Sequence, residues 1–281
     1  METILITGAN GFVGKNLKKY FEKSYAILSP RSFELDCRNQ DAVKEYFSKN
    51  NISYIIHCAS VGGARGVKDK DTTVVDNLKM VNNLLEFKNA NCKMIVFGSG
   101  AMYGKQRPII KIREDEIGNV TPSDLYGQSK VEIAKIAAKR SDMVCLNIFA
   151  CYGYNEFSTR FPSYAIAQNL KHLPIVINQN VVFDYLFIED LEKIVEHFIL
   201  NNPKKYNIIN VTPSKSSKLT EIAEIVNSIS DYKSEITLKS PTLGNEYTGD
   251  NSRLMFEIPE IEFTSLTDGL KKLYEYIKNT L

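Results

Sequence analysis

Short apolar runs alternate with longer segments of helical periodicity through the first half of the chain. The apolar runs are 4–6, 54–56, 94–97 and 144–148, and the helical patterns are 12–23, 72–90 and 124–140. Short buried strands separated by helices are typical of a parallel sheet with right-handed crossovers. The pattern therefore predicts an α/β fold, a doubly wound parallel sheet of Rossmann type.

After about residue 150 this rhythm loosens, and prolines separate shorter elements. They are Pro162, Pro174, Pro203, Pro213, Pro241 and Pro259. We predict a Rossmann domain over 1–153 and a smaller C-terminal, mainly substrate-binding lobe over 154–281, with some segments returning to the Rossmann sheet. Without a flexible linker, the two parts should enclose a cleft at the carboxyl ends of the strands, where ligands of such sheets bind.

Composition indicates an ordinary globular protein with no bias toward nucleic acid or membranes. The 281 residues are 43% apolar and 24% charged, with a net charge of +2. The first residues run directly into a strand pattern, without a secretory leader. The five cysteines are odd in number and lack a CxxC spacing, so they are interpreted as reduced, mostly buried thiols of a cytoplasmic protein, and no metal site is predicted.

A glycine-rich turn follows the first strand and opens the first helix, as Gly8-Ala9-Asn10-Gly11-Phe12-Val13-Gly14. In that context, glycines let the backbone approach a pyrophosphate, and the helix N-terminus supplies amide donors. The spacing is GxxGxxG. The residues predicted to contact a dinucleotide here are Gly8, Asn10, Gly11, Phe12, Val13 and Gly14.

The sequence ILITGANGFVGKNL resembles the opening of the extended short-chain dehydrogenases, which include nucleotide-sugar epimerases, dehydratases and reductases. The resemblance runs through about residue 190 and is weak beyond. It implies a nicotinamide dinucleotide cofactor. Asp36-Cys37 is similar to the family dipeptide that contacts adenine, and the family pattern places Cys58, Ala59 and Ser60 along the cofactor.

The turn after the second strand favours NADP over NAD. An acidic residue there holds the ribose hydroxyls of NAD, whereas an arginine accommodates the 2′-phosphate of NADP. This chain has Ser29 and Arg31 at that turn, with no carboxylate among residues 25–32. NADP is therefore the favoured cofactor and NAD remains possible, because the alternative is that Arg31 is an ordinary solvated arginine.

Tyr126 and Lys130 are four residues apart, and so lie on one face of a helix one turn from each other. A phenol is a weak base at neutral pH, and a nearby ammonium favours its ionised form. Ser99 ends an apolar strand 27 residues before Tyr126. The family resemblance implies that Ser99 hydrogen-bonds the substrate oxygen, that Tyr126 exchanges a proton with it, and that Lys130 also binds the cofactor ribose.

Two departures from the family pattern bear on the reaction. Family dehydratases have an Asp-Glu pair after the strand-end hydroxyl, where this chain has Gly100-Ala101. The segments 56–63 and 98–103 look most like GDP-fucose synthases, which need a cysteine two residues after the serine and a later histidine for epimerisation. This chain has Ala101 at the first position and no histidine in 157–161, which leaves a 4-keto reduction.

The sequence therefore predicts an NADPH-dependent reductase of a nucleotide-linked 4-keto-6-deoxy sugar. A 4-epimerase with tightly held NAD is the first alternative, since it needs the same serine, tyrosine and lysine; a non-catalytic NADP-binding sensor is the second. Arg160 and Arg253 are candidates to neutralise a substrate diphosphate, although either is also compatible with a surface ion pair. Ala150 and Phe183 replace an asparagine and an arginine that touch the nucleotide sugar in the family.

The helical segments 74–88 and 124–140 carry more apolar positions than one face against a sheet requires. They include Leu125, Val131, Ile133, Ala134, Ile136 and Ala137. Corresponding helices form a four-helix dimer bundle in the family, so a homodimer is expected. Coverage of these positions by the second lobe is the alternative.

Overall fold

The computed structural model describes residues 1–64 and 66–280 and contains a six-stranded, wholly parallel sheet of order β11-β6-β4-β3-β1-β2. The strands are β1 (Thr3–Thr7), β2 (Ala26–Leu28), β3 (Tyr54–His57), β4 (Lys93–Ser99), β6 (Met143–Ile148) and β11 (Ile208–Val211). The predicted α/β fold of Rossmann type is confirmed.

Helices connect successive strands of this sheet. They are α1 (Phe12–Phe21), α2 (Gln40–Lys49), α3 (Thr73–Phe87), α4 (Leu125–Ala137) and α6 (Ile188–Leu200). The helical patterns at 12–23, 72–90 and 124–140 coincide with α1, α3 and α4 and overrun their ends by one to three residues. The N-cap residues Asn39 and Asp124 begin α2 and α4, because their side chains accept a backbone amide of the first turn.

Two apolar cores lie on opposite faces of the main sheet. Along β1, Ile4 and Ile6 belong to one core and Leu5 belongs to the other. In β4, Ile95 and Phe97 face the first core, while Met94 and Val96 face the second. A strand points successive side chains to opposite faces, so continuous apolar runs are the expected signature of strands covered on both sides.

The remaining strands and helices build a smaller lobe. Its strands are β5 (Ile109–Ile112), β7 (Ala150–Tyr152), β8 (Ile175–Asn180), β9 (Val182–Phe183), β10 (Tyr185–Phe187), β12 (Ser217–Lys218), β13 (Ile236–Leu243) and β14 (Tyr247–Gly249), and its helices are α5 (Phe161–Leu170), α7 (Leu219–Ile229), α8 (Ser252–Glu257) and α9 (Leu266–Lys278). A four-stranded sheet has the order β12-β9-β14-β5. Strand β5 thus joins the C-terminal lobe, and β11 rejoins the main sheet.

All five cysteines are unpaired, with three buried and two half-buried. Burial raises the pKa of Cys37 to about 12 and that of Cys92 to about 11. Thiols of this kind are poor nucleophiles at neutral pH.

Within residues 1–64 and 66–280, no helix is both long enough and apolar enough to span a bilayer.

Candidate active site

The glycine-rich turn lies at the carboxyl end of β1 and leaves the start of α1 open to a ligand. Gly8 has φ +69°, and a methyl group there would lie 2.6 Å from the backbone nitrogen of Ala59. A methyl group at Gly14 would overlap the carbonyl oxygen of Gly8. Helix α1 has no side-chain cap and no acidic residue in its first turn. These features fit a pyrophosphate bound to free backbone amides.

The turn after β3 packs directly against this glycine loop. The Gly8–Ala59 contact brings together two of the predicted cofactor residues, with Cys58 and Ser60 on either side of Ala59. His57 ends β3, is buried, and hydrogen-bonds the hydroxyl of Thr7 through Nδ1 at 2.7 Å. Burial and the charge of Lys130 lower the pKa of His57 to about 3. His57 is thus a neutral core residue that joins two strand ends.

Ser29 and Arg31 follow β2 at the same edge of the sheet, beside the strand that carries the glycine loop. Arg31 is exposed, and its guanidinium carbon lies 5.9 Å from the centre of the Phe33 ring. A free guanidinium at this corner is compatible with a 2′-phosphate.

The carboxylate of Asp36 is already engaged by a residue that the sequence did not single out. Both of its oxygens accept from Arg38, at 2.9 Å from Nε and 2.9 Å from Nη2. The Arg38 hydrogen bonds lower the pKa of Asp36 despite partial burial. Cys37, next in the chain, is buried and accepts through its backbone carbonyl from Asn83 of α3 at 2.9 Å. Asp36 and Cys37 therefore anchor the loop before α2 through these contacts.

Ser99 is the last residue of β4 and caps a short 3-10 helix at Gly100–Tyr103. Its Oγ accepts the amide of Ala101 at 3.2 Å. The 3-10 helix packs closely against α4. A methyl group added at Gly127 would lie only 2.8 Å from the carbonyl oxygen of Ala101. The close approach brings the start of α4 toward the end of β4.

Tyr126 and Lys130 lie in the first two turns of α4. The Nζ of Lys130 is 5.2 Å from the centre of the Tyr126 ring and donates to the carbonyl oxygen of Phe97 at 2.8 Å. Lys130 is buried, so its charge acts in a region poor in water. Since Phe97 lies two residues before Ser99, this hydrogen bond fixes the lysine beside the strand end that carries the serine.

Asp69 holds the backbone of Tyr126, and no local motif indicated it. One carboxylate oxygen accepts the amide of Tyr126 at 2.7 Å, and the other accepts the amide of Gly63 at 2.9 Å. Gly63 covers the phenol ring, since a methyl group there would lie 2.9 Å from the ring carbons Cγ and Cδ2. Asn77 of α3 fixes the same loop through two hydrogen bonds to the backbone of Val61.

A second unexpected residue, Tyr247 of β14, reaches the site from the C-terminal lobe. Its hydroxyl would lie 2.5 Å from a methyl group placed at Gly100, the residue that follows Ser99. Its ring centre lies 5.3 Å from that of Phe149 and 5.9 Å from that of Phe183. Phe183, which stands where the family has an arginine, therefore belongs to an aromatic wall next to the serine.

The two arginines proposed as diphosphate contacts lie in different surroundings. Arg160 precedes α5, is exposed, and lies near enough to Tyr247 for its charge to lower the pKa of that hydroxyl. Arg253 instead pairs with buried Glu114 at 3.4 Å and lies 4.7 Å from the centre of the Tyr206 ring. It also donates to the carbonyl oxygen of Ile208 at 3.3 Å. Arg160 is thus exposed, whereas the guanidinium of Arg253 is already paired within the chain.

Glu114 belongs to a buried polar network behind the site. It accepts the amide of Asn210 at 2.7 Å, and Asn210 accepts from the Tyr103 hydroxyl at 2.6 Å. Asn147 donates to Asn210 at 3.1 Å and packs against Gly98, where a side chain would overlap it. These contacts fix the end of β4 rather than supply reacting groups.

Among the described residues, no cluster of His, Cys, Asp or Glu could hold a metal ion.

A parallel sheet with a glycine loop, a helical tyrosine–lysine pair and a strand-end serine at one edge defines a nicotinamide-dependent enzyme of the extended short-chain dehydrogenase class. The model of the NAD dependent epimerase/dehydratase family matches residues 4–212. The chain belongs to this family, and the prediction of an NAD(P)-dependent enzyme is confirmed.

Full-length relatives are similar to the chain at low identity. GDP-L-colitose synthase of Yersinia pseudotuberculosis is 25% identical, with 98% of each chain covered. GDP-L-fucose synthase of Dictyostelium discoideum is 22% identical over 96% of this chain and 93% of that protein. The NADP-bound GDP-mannoheptose C4 reductase of Campylobacter jejuni shares the fold, with a TM-score of 0.83, 20% identity, and coverage of 99% and 98% of the two chains.

Proposed function

We propose that this protein is an NADPH-dependent reductase of the 4-keto group of a nucleotide-linked 4-keto-6-deoxy sugar, serving deoxy-sugar and surface polysaccharide biosynthesis. The observation that carries the proposal is the assembly of Ser99, Tyr126 and Lys130 at the strand edge beside the glycine loop. Relatives named as GDP-sugar synthases and a fold neighbour named as a GDP-sugar C4 reductase support a GDP-linked substrate.

The groups around the reacting oxygen match a carbonyl reduction. NADPH, when bound, supplies the hydride. The Tyr126 hydroxyl donates its proton to the sugar oxygen, and Ser99 donates a hydrogen bond to the same oxygen. The ammonium of Lys130, held by the carbonyl of Phe97, stabilises the phenolate left on Tyr126. Hydride and proton together convert the ketone to an alcohol.

The surroundings of Ser99 favour reduction without prior epimerisation. Carbon epimerisation next to a ketone needs an acid and a base beside the ring carbons. Where GDP-fucose synthases have a cysteine, this chain has Ala101, whose methyl group is buried and cannot exchange a proton. Segment 157–161 lacks a histidine, and its first four residues are exposed. The site thus supports hydride transfer at a single carbon.

The test is an assay of purified protein with NADPH or NADH and a panel of GDP-, dTDP-, CDP- and UDP-linked 4-keto-6-deoxy sugars, followed by absorbance of the reduced nicotinamide. We expect NADPH oxidation that depends on a GDP-linked sugar. If no sugar of the panel causes oxidation of the reduced nicotinamide, and denaturation releases bound NAD, the result would contradict the reductase. It would favour a 4-epimerase that uses the same three residues.

A further inference from the structure

Three half-buried aromatic rings of the C-terminal lobe lie side by side next to the end of β4. They are Phe183 of β9, Tyr185 of β10 and Tyr247 of β14, and we call them the three-ring surface. The ring centre of Phe183 lies 5.9 Å from that of Tyr247 and 5.7 Å from that of Tyr185. The Tyr247 hydroxyl lies against Gly100, the residue after Ser99. The surface therefore begins at the strand end that carries the serine.

Strand pairing explains why these rings share one face. Tyr247 and Phe183 are partners in the parallel pair of β14 and β9. Phe183 and Tyr185 are two residues apart in an extended segment, so Asp184 between them points to the other side. There Asp184 is fully buried and accepts from the Thr212 hydroxyl at 2.8 Å. The one carboxylate of this segment is thus turned away from the three rings.

A surface of this kind fits one of the two groups that flank a ketone at carbon 4. In the proposed reaction Ser99 and Tyr126 hold the oxygen of carbon 4, so the substituents of carbons 3 and 5 lie closest to them. Carbon 3 carries a hydroxyl, whereas carbon 5 of a 6-deoxy sugar carries a methyl group. The faces of aromatic rings shield apolar groups from water and leave a hydroxyl without a strong partner. The methyl group is therefore the substituent that matches the rings.

We propose that the three-ring surface is the subsite for carbon 6 of the sugar, and that it selects a 6-deoxy sugar over the same sugar with a 6-hydroxyl. The inference rests on the proposed reduction and names the residues that define its substrate class. A 6-hydroxyl placed here loses water and gains ring surface, because Asp184 is buried on the other side of the segment. Phe183 is the central ring, since it contacts both of the others.

The test is the affinity of the protein, saturated with NADP, for pairs of GDP-sugars that differ only at carbon 6. Each pair is a GDP-hexose and its 6-deoxy counterpart, in the manno, gluco and galacto configurations, and the Kd values are measured by isothermal titration calorimetry. We expect the wild type to bind the 6-deoxy member roughly 10- to 100-fold more tightly in the configuration that it accepts. An apolar pocket discriminates to this extent against an added hydroxyl.

Two substitutions of Phe183 test whether apolar surface carries the preference. Phe183→Leu keeps an apolar side chain and should keep most of it. Phe183→Thr keeps a residue suited to a strand but offers the 6-hydroxyl a hydrogen-bond partner, and should lose most of it. The control is Phe256→Thr, at an exposed ring of α8 that lies 5.7 Å from the ring of Tyr206. Tyr206 precedes β11, at the edge of the sheet opposite to Ser99, so this control should keep the wild-type preference.

The outcomes separate the inference from the proposed function. Equal affinities within each pair in the wild type, or a Phe183→Thr variant that keeps the wild-type preference, overturn the inference and leave the reduction standing. A wild type that prefers the 6-deoxy sugar but does not oxidise NADPH with a 4-keto-6-deoxy sugar overturns the proposed function instead. Binding of none of the GDP-sugars overturns the GDP-linked substrate on which both rest.

Discussion

A carboxylate oxygen of Asp69 accepts the backbone amide of Tyr126 at 2.7 Å. Since the second oxygen of Asp69 holds Gly63, this one side chain joins the loop after β3 to the first turn of α4. The phenol ring is thereby fixed from its covered face by the loop, while Lys130 lies 5.2 Å from its centre. The orientation of the tyrosine depends on a residue 57 positions earlier in the chain.

Replacement of Asp69 should therefore damage catalysis more than stability. In Asp69→Ala the amides of Gly63 and Tyr126 lose their acceptor, and the ring loses its fixed position. We expect kcat/KM to fall about 10- to 100-fold, while Tm falls by roughly 2–4 °C, the equivalent of about 1 kcal/mol. The control is Asp71→Ala, at an exposed position two residues later. Equal losses in both variants would contradict a positioning role.

Cofactor preference should depend on Arg31. If its exposed guanidinium binds the 2′-phosphate, Arg31→Ala removes a charge-assisted contact worth about 1.5–3 kcal/mol. We expect the Kd for NADPH to rise about 10- to 100-fold and the Kd for NADH to change little, as measured by fluorescence titration. Arg113→Ala, at an exposed arginine paired with Asp115, serves as the control. A parallel rise in both Kd values would argue against recognition of the phosphate.

Stability between pH 5 and 8 should depend on Glu156. Burial raises its pKa to about 7 from an ordinary value of 4.5, although Ser163 and Arg160 oppose the shift. The folded protein then holds a proton that the unfolded chain releases. The free energy of unfolding should accordingly fall as pH rises from about 4.5 to about 7.

Glu156→Gln removes this titration and keeps an oxygen for the amide and hydroxyl of Ser163. Between pH 5 and 8 we expect the decline in stability to be smaller by about 2.5 kcal/mol, or roughly 5–10 °C in Tm. Thermal unfolding at several pH values measures this difference. Glu224→Gln, at an exposed position, should follow the wild-type curve. A Glu156→Gln curve parallel to the wild type would show that Glu156 does not titrate in this range.

Tyr126 should be needed for proton transfer to the sugar oxygen and not for folding. In Tyr126→Phe the ring still packs against Gly63, but no hydroxyl is available for the sugar oxygen. We expect kcat to fall about 10²- to 10⁴-fold, the range typical of general acid catalysis, with NADPH binding retained. Activity and cofactor affinity are measured on the same preparation. Near wild-type kcat would exclude Tyr126 as the proton donor.

The local parts of the site were predictable from the sequence because each depends on a short segment. The glycine loop, the strand end at Ser99, and the four-residue spacing of Tyr126 and Lys130 all reflect a single strand or a single helical turn. Asp69 and Tyr247 gave no such signal, because their contacts join segments far apart in the chain. Those contacts become visible only when the folded loops and lobes are considered together.

The spatial neighbours of Arg253 and of the apolar residues in 124–140 alter how these sequence features are interpreted. Arg253 was a candidate for a diphosphate contact, but buried Glu114 and the ring of Tyr206 engage its guanidinium. Four of the six apolar residues cited for a dimer face in 124–140 are buried within the single chain, as Val131, Ile133, Ala134 and Ala137. Periodicity shows that a helix face is apolar and does not show what covers it. The homodimer stays a prediction.

The most direct test of the account is transfer of deuterium to the sugar. The protein is incubated with a GDP-linked 4-keto-6-deoxy sugar and NADPH deuterated at the transferring carbon of the nicotinamide, in each stereoisomer. We expect one NADPH consumed per sugar, deuterium from one stereoisomer at carbon 4 of the product, and loss of both in Tyr126→Phe. Turnover of a nucleotide sugar without net NADPH consumption and without deuterium in the product would contradict a 4-keto reduction.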